Sequence, residues 1–206
     1  MEKYHQTEPR SLDRPLKQAE MEKKRNYICV YCGSSMGNGT LFADAAQETG
    51  HMIARLGLGL VYGGACCGTM GKVADAALES GAEVCGIIPD FFEDYEFEVL
   101  HTGLTRLVRV KTMAERKEML IGMADCFLAL PGSYGTLDEL FETLVLVQLK
   151  QIEKPVFLLN LNGFYDPMLA QLDKMQACGF LQDENRRLLQ VCRTLEELEK
   201  ALRPWA

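Results

Sequence analysis

The sequence lacks a hydrophobic run long enough to cross a membrane, and it lacks an excess of basic residues. No apolar stretch in the 206 residues reaches the roughly 18 to 20 residues that a span requires, so no membrane partner is expected. Asp and Glu outnumber Lys and Arg by 29 to 22, which gives a net charge of -7. Because nucleic-acid-binding proteins usually carry a basic face, this balance argues against a nucleic-acid partner.

The first 25 residues lack the apolar core of a secretory signal. They are polar, mix charges of both signs and contain Pro9 and Pro15, so residues 1–25 are predicted to be a flexible extension. Residues 26–206 suffice for a single domain with its own core. Several of the eight cysteines lie in apolar, strand-like runs, which is typical of buried reduced thiols. We therefore expect a cytoplasmic protein.

Metal-ligand spacing is also missing. The three histidines are scattered, and neither a metal nor a cofactor is expected. Cys29 and Cys32 have C-x-x-C spacing, but on a strand this odd offset points them to opposite faces. For the neighbouring Cys66 and Cys67, small side chains in a tight turn are favoured over a redox or metal site.

Short apolar runs alternate with amphipathic stretches from Asn26 onward. Strands are predicted over 27–33, 58–64, 83–89, 106–110, 125–132 and 154–160, and helices over 41–57, 69–81, 113–124, 137–150, 165–179 and 193–203. The strands are continuous apolar runs, which favours a parallel sheet buried on both faces. The predicted fold class is α/β: a Rossmann-like doubly wound parallel sheet with helices on both faces, in one domain.

Three glycine-rich segments each follow a predicted strand: CGSSMGNGT (32–40), YGGACCGTMG (62–71) and PGSYGTLDE (131–139). Glycine lets the backbone approach a ligand, and the helix that follows adds the positive end of its dipole. Ligands of such folds bind at the carboxyl ends of the strands, so the three segments predict a phosphate site there. Hydroxyl groups of Ser35, Ser133 and Thr136 can donate hydrogen bonds to the same anion.

Two nucleotide-binding fingerprints are absent. There is no G-x-x-x-x-G-K-[ST], which argues against a P-loop NTPase. There is no G-x-G-x-x-G in the second segment either, so a dinucleotide-dependent oxidoreductase has little support.

Two pairs of charged residues each allow two interpretations. Asp138 and Glu139 are predicted in the first turn of a helix, where the dipole favours acids. In the second interpretation, one of the two carboxylates faces the sugar that is attached to the bound phosphate. There it orients a water molecule or stabilises an oxocarbenium-like centre. Arg116 and Lys117 form either a solvated face, paired with neighbouring glutamates at 115 and 118, or a cationic group for a phosphate or a departing base.

These segments resemble the motifs of the LONELY GUY family, long labelled "possible lysine decarboxylase". The family's P-G-G-x-G-T-x-x-E corresponds to PGSYGTLDE at 131–139, M-x-E-R-K to MAERK at 113–117, and G-G-x-x-x-G-x-M-G to GGACCGTMG at 63–71. CGSS, E-x-x-H-x-G-L-T over 98–105 and the segment 154–169 are similar too. The resemblance covers roughly residues 26 to 203, with the motifs in the family's order.

The resemblance implies a phosphoribohydrolase that uses water to cleave the N-glycosidic bond of a nucleoside 5′-monophosphate. The substrate would be a cytokinin riboside 5′-monophosphate, AMP or both, and the products a free base and ribose 5-phosphate. It also implies a homodimer with the active site near the interface. By motif position the catalytic residues are Arg116 and Glu139. Substrate and phosphate binding fall to Gly132, Ser133, Tyr134, Gly135, Thr136, Lys117, Glu98, Met113, Ser35 and Gly64. The decarboxylase label gains no support, because no lysine stands in a setting suited to a cofactor.

Two residues depart from the family pattern. Ala114 stands where the family usually has His, which removes a polar group near Arg116 and can shift base preference. Ser133 replaces the second Gly of the hallmark, so position 133 must have a backbone geometry open to a residue with Cβ. A non-catalytic nucleotide or molybdenum-cofactor carrier on the same fold is the alternative function, and the intact Arg116 and Glu139 favour the enzyme.

Overall fold

The computed structural model describes residues 25–94 and 100–206, and one seven-stranded sheet organises them. The strands are β1 Tyr27–Tyr31, β2 Gly59–Tyr62, β3 Val84–Pro89, β4 Arg106–Val110, β5 Cys126–Ala129, β6 Val156–Leu159 and β7 Leu189–Cys192. The α-helices are α1 Leu41–Arg55, α2 Gly68–Glu79, α3 Met113–Met123, α4 Tyr134–Gln148, α5 Asp166–Ala177, α6 Asp183–Arg186 and α7 Leu195–Leu202. Among the described residues, no helix is long and apolar enough to cross a bilayer.

The strand order reverses next to β1. The order is β4-β3-β2-β1-β5-β6-β7, and each neighbouring pair is parallel. The chain therefore builds outward from β1 in one direction and then returns to build outward from β5 in the other. In open sheets of this kind, the loops at such a reversal diverge and leave a crevice at the carboxyl ends of the strands.

Side chains of β1 alternate between two cores. Ile28 and Val30 pack with α1, α2 and α7 on one face, and Cys29 and Tyr31 pack with α3, α4 and α5 on the other. Both faces are thus covered by helices, which confirms the predicted doubly wound α/β fold. Cys32 lies in the first core and Cys29 in the second, so their predicted opposite orientation is confirmed. None of the eight cysteines forms a disulfide bond.

The structure differs from the prediction in three elements, one of which is the unpredicted short helix α6 Asp183–Arg186. Strand β7 was not predicted, because the run LQVC is only four residues long and is buried at its two ends and more exposed between them, which gives no strand periodicity. Helix α4 begins at Tyr134 rather than at residue 137, since Ser133 takes the extended N-cap position and the helix accommodates Gly135 in its first turn. Asp138 and Glu139 therefore lie in the second turn, so their placement in the first turn was wrong. The predicted flexible extension lies almost wholly outside the described residues.

Candidate active site

The three glycine-rich segments meet at the crevice, as their positions predict. Thr69, in the first turn of α2, accepts a hydrogen bond from the backbone N–H of Gly33 (3.0 Å) and donates one to its carbonyl (3.1 Å). A Cβ built on Gly33 would lie 3.6 Å from Cα of Gly132. The first segment is therefore tied to the second by hydrogen bonds and lies against the third.

The backbone at the start of α4 explains which glycine of the hallmark can be replaced. Ser133 has φ −107° and ψ −152°, an extended conformation open to any residue. A Cβ on Gly132, by contrast, would overlap the side chain of Thr136. Glycine is therefore required at 132 and not at 133, and the departure at Ser133 is tolerated.

The first turn of α4 has the features of an anion site. Thr136 is 2% exposed, and its hydroxyl has no hydrogen-bond partner among the described residues. The backbone N–H groups of a first helical turn have no partner within the helix and lie at the positive end of its dipole. A Cβ on Gly135 would meet nothing within 4 Å, so packing within the chain does not require glycine there. Its small size keeps open the cleft that it lines.

Arg116 reaches this cleft from the beginning of α3. Thr112 caps that helix, its hydroxyl accepting the N–H of Glu115 at 3.1 Å. The Arg116 side chain is buried, and its Nε and Nη2 donate to the carbonyls of Ile87 and Gly63, each at 3.1 Å. The alternative interpretation, a solvated face paired with glutamates of its own helix, is therefore wrong for Arg116.

Glu139 is the anionic partner of Arg116. Its Oε1 accepts a hydrogen bond from Nη1 of Arg116 at 3.3 Å, and both residues are buried. The Thr143 hydroxyl, in hydrogen-bond contact with Tyr31, donates to the Glu139 carbonyl at 2.9 Å and ties this turn of α4 to β1. A Cβ on Gly63 would overlap Nη2 of Arg116, so the guanidinium fits only beside glycine. The pair is a fixed unit in a setting where charges interact strongly.

The cleft around this pair has a cavity volume of about 70 Å³. Its lining consists of Cys32, Gly33, Ser34, Met70, Arg116, Ser133, Gly135, Thr136 and Glu139. Burial, followed by the charge of Glu139, raises the pKa of the Cys32 thiol well above its ordinary value. The thiol therefore stays protonated at neutral pH, and among the described residues that line the cleft Glu139 is the only carboxylate.

A second cleft adjoins the first and shares Gly33, Ser34 and Ser133 with it. It is lined by Ser35, which was predicted to bind substrate, and by Met36, Phe42 and Phe164. The two aromatic rings meet edge to face with their centroids 5.4 Å apart. The crevice therefore combines a polar, charged cleft with an apolar, aromatic one.

Other residues predicted to bind substrate lie around the crevice rim or beyond it. Lys117 pairs with Asp138 at 3.0 Å and with Glu142 at 2.6 Å. The hydrogen bond to Glu142 is the main cause that raises the pKa of Lys117. Tyr134 is 91% exposed and lines a surface groove with Lys117. Their role in binding stays a prediction.

Met113, Gly64 and Glu98 complete the predicted set. Met113 is the half-buried first residue of α3. Gly64 is buried, and its carbonyl accepts the N–H of His101 at 3.1 Å. Glu98 lies outside the described residues.

The structure adds residues that the sequence did not indicate. The ring centroid of Phe92 lies 5.8 Å from Cζ of Arg116. The buried His101 ring contacts the Tyr62 hydroxyl at 2.7 Å and the Asp75 carboxylate at 3.1 Å. The sequence held two signals for these residues, namely the two phenylalanines of DFF (90–92) and the histidine of the 98–105 segment. Neither signal indicated which residues these side chains contact. Within the described part of the chain, no cluster of three His, Cys, Asp or Glu residues suits a metal ion.

The fold of the chain is similar to that of two solved molybdenum-cofactor proteins. The molybdenum cofactor carrier protein of Chlamydomonas reinhardtii matches with a TM-score of 0.66 and 19% identity, covering 88% of this chain and 98% of the carrier. The molybdenum cofactor binding protein of Rippkaea orientalis gives a TM-score of 0.63 and 20% identity, with the same coverage. At this identity the likeness shows a shared fold and does not favour the carrier alternative.

Proteins related by sequence are more similar to the chain than these two structures are. A family described as "Possible lysine decarboxylase" matches residues 70–202. The cytokinin riboside 5′-monophosphate phosphoribohydrolase of Rhodococcoides fascians is 41% identical over 176 residues, covering 85% of this chain and 88% of the relative. The enzyme of the same name, LOG, from Oryza sativa subsp. japonica is 41% identical over 179 residues, covering 87% and 73%. The chain therefore belongs to this family, the LONELY GUY family that its motifs resemble.

Proposed function

We propose that the protein hydrolyses the N-glycosidic bond of a nucleoside 5′-monophosphate, releasing a free base and ribose 5-phosphate. The observation that carries this proposal is the buried Arg116–Glu139 pair in the same cleft as the unpartnered Thr136 hydroxyl. The first feature supplies a fixed carboxylate, and the second marks an anion site at the start of α4. A substrate that joins a phosphate to a cleavable sugar carbon would engage both.

The spacing along α4 supports this arrangement. Glu139 follows Tyr134, the first helical residue, by five positions, which is about 7.5 Å along the helix axis at 1.5 Å per residue. A phosphate at the helix N-terminus would therefore be separated from the carboxylate by a distance comparable to the length of a ribose 5-phosphate. Ser133 and Thr136 donate hydroxyl hydrogen bonds to the phosphate, and the backbone N–H groups complete its cradle.

The chemical step uses water and the carboxylate. The water oxygen forms a bond to C1′ as the C1′–N bond breaks, the bonding electron pair leaves with the base, and the proton that the water loses passes to the base. Glu139 orients the water and stabilises positive charge on the sugar, and Arg116 holds the carboxylate in place. Because Arg116 is already bonded to two backbone carbonyls, its charge is pre-organised rather than recruited by the substrate.

The relatives' names guide the choice of base. Both named relatives are cytokinin riboside 5′-monophosphate phosphoribohydrolases. We therefore propose such a nucleotide, AMP, or both as substrates. The exposed Ala114 at the start of α3 is the position through which base preference differs from that of members with His there.

We also propose a homodimer formed through α4. Phe141, Val145 and Leu149 are exposed at intervals of four residues and so share one helical face. Phe180 is 88% exposed and, with Phe141 and Val145, lines an adjoining groove. Exposed apolar patches of this kind mark association surfaces. Since the same helix carries Glu139, this interface would lie near the active site, and Val145→Asp should convert the dimer to a monomer in light-scattering measurements.

The remaining expectations concern location and partners. Eight cysteines without a disulfide bond suit a reducing compartment, which supports a cytoplasmic location. The net charge of -7 supports a small-molecule substrate over a nucleic acid, and no membrane partner is proposed.

A base-release assay tests the proposed function. The protein is incubated with AMP, ADP, ATP, adenosine and an isopentenyl-adenosine monophosphate, and the bases are separated by HPLC. We expect base and ribose 5-phosphate in equal amounts from a monophosphate and little from adenosine, which lacks the phosphate. Thermal stabilisation by nucleotides without any base release would instead support a carrier.

A further inference from the structure

The guanidinium of Arg116 is held along its edges by groups from three parts of the chain. Nε donates to the Ile87 carbonyl in β3, Nη2 to the Gly63 carbonyl after β2, and Nη1 to Glu139 in α4. These bonds fix the position of the planar group through its rim. They leave its faces to be covered by other contacts.

The guanidinium carbon of Arg116 lies over the face of an aromatic ring. The centroid of the Phe92 ring is 5.8 Å from Cζ of Arg116, within the range of cation–π attraction. We propose that Phe92 is a positioning residue for the Arg116–Glu139 pair. This inference rests on the proposed hydrolase function, in which the pair must keep a fixed geometry.

The chain places the ring and one of the anchoring carbonyls in one continuous segment. Ile87 lies in β3, which ends at Pro89, and the 3₁₀-helix Asp90–Asp94 follows at once and carries Phe92. The neighbouring Phe91 ring meets Phe92 edge to face with centroids 4.9 Å apart. The same segment thus supplies a hydrogen-bond acceptor and an aromatic ring to Arg116.

The ring has two physical effects on the pair. The negative π-face attracts the guanidinium, and this attraction is stronger where water is displaced. Covering the guanidinium also keeps water from competing for the carboxylate, so the Arg116–Glu139 attraction is less screened. Both effects act on the geometry of the pair rather than on the substrate, and they therefore alter turnover more than binding.

Kinetics of three variants test the proposal on AMP or on the best monophosphate found. Phe92→Leu keeps an apolar side chain without a π-face, and we expect kcat to fall about 3- to 30-fold with KM unchanged. Phe92→Tyr keeps the π-face and should restore most of kcat. Phe91→Leu is the comparison variant: it removes the ring that meets Phe92 edge to face, and it should lower kcat less than Phe92→Leu does.

Three outcomes would overturn the proposal: an unchanged kcat in Phe92→Leu, a change confined to KM, or an equal loss in Phe91→Leu. If the wild-type protein releases no base, the hydrolase proposal itself fails, and stability provides a readout that does not need activity. Phe92→Leu should lower the urea midpoint more in the wild-type background than in Arg116→Met. Equal shifts in the two backgrounds would refute the contact between ring and guanidinium.

Discussion

Arg116 Nη1 lies 3.3 Å from Glu139 Oε1, and the two side chains are only 8% and 10% exposed. The residues come from different helices, α3 and α4, which are separated in the chain by β5. Two backbone carbonyls hold the cation, and a glycine at 63 leaves room for it. The geometry of the charge pair is thus built into the fold before any ligand arrives.

Neutralising one member of this pair should destabilise the protein more than neutralising both. Arg116→Met leaves the Glu139 carboxylate buried without its cation, and we expect the free energy of unfolding to fall by about 3 kcal/mol. Adding Glu139→Gln removes the uncompensated charge and should recover at least about 1 kcal/mol. Urea unfolding of the single and double variants measures this difference. Additive losses would contradict the tight coupling of the pair.

Alanine substitutions at Gly132 and Gly135 should have opposite effects on the stability of the protein. A Cβ at 132 overlaps Thr136, so Gly132→Ala should cost at least about 1 kcal/mol of stability. A Cβ at 135 meets open space in a helix, so Gly135→Ala should stabilise the ligand-free protein by about 0.5–1 kcal/mol. Because that methyl enters the proposed phosphate site, KM for a monophosphate should rise. Stabilisation without any effect on KM would place the phosphate elsewhere.

Ser133→Gly should have little effect on the fold. The backbone at 133 is extended, so glycine relieves no strain there. Glycine only makes the unfolded chain more flexible, which should lower the free energy of unfolding by about 0.4–1 kcal/mol. The loss of a hydroxyl donor to the phosphate should raise KM several-fold. Ser133→Thr, which retains the hydroxyl, is the companion variant. A large gain in kcat for Ser133→Gly would show that serine impairs the loop.

The stability of the protein should decline at alkaline pH because of its buried thiols. Burial, with a smaller effect of Asp125, raises the pKa of Cys126 from 9.0 to about 12. The stabilisation from its neutral form is complete below pH 9 and is lost as pH rises toward 12. Each proton that the folded state keeps and the unfolded state has lost contributes about 1.4 kcal/mol per pH unit to the slope of the unfolding free energy against pH. Cys126→Ala should reduce the slope of the unfolding free energy against pH between pH 10 and 11, as measured by urea unfolding at each pH.

The sequence predicted the sheet class and the convergence of the loops because both depend on local patterns. Continuous apolar strands and glycines at strand ends carry that information. Helix α4 begins three residues earlier than predicted. Glycine has a low helix propensity, so the sequence did not indicate that Gly135 lies in the first turn. Strand β7 was missed because its four residues gain their identity from pairing with β6.

The site was predictable in its motif residues and not in its contacts. Arg116 and Glu139 were identified by motif position, but their ion pair depends on how α3 and α4 pack on the sheet. The spacing role of Gly63 and the ring of Phe92 are tertiary features with no local signature. Lys117 resembled Arg116 in sequence, yet it pairs outside the cleft with Asp138 and Glu142.

The most direct test of the central claim compares Glu139→Gln with Asp138→Asn. The two substitutions remove one charge each from adjacent residues of α4, and only Glu139 is buried in the cleft. With a nucleoside 5′-monophosphate as substrate, we predict that Glu139→Gln lowers kcat for base release by at least about 100-fold, whereas Asp138→Asn stays within about 3-fold of wild type. Base release at the wild-type rate by folded Glu139→Gln protein would contradict the account.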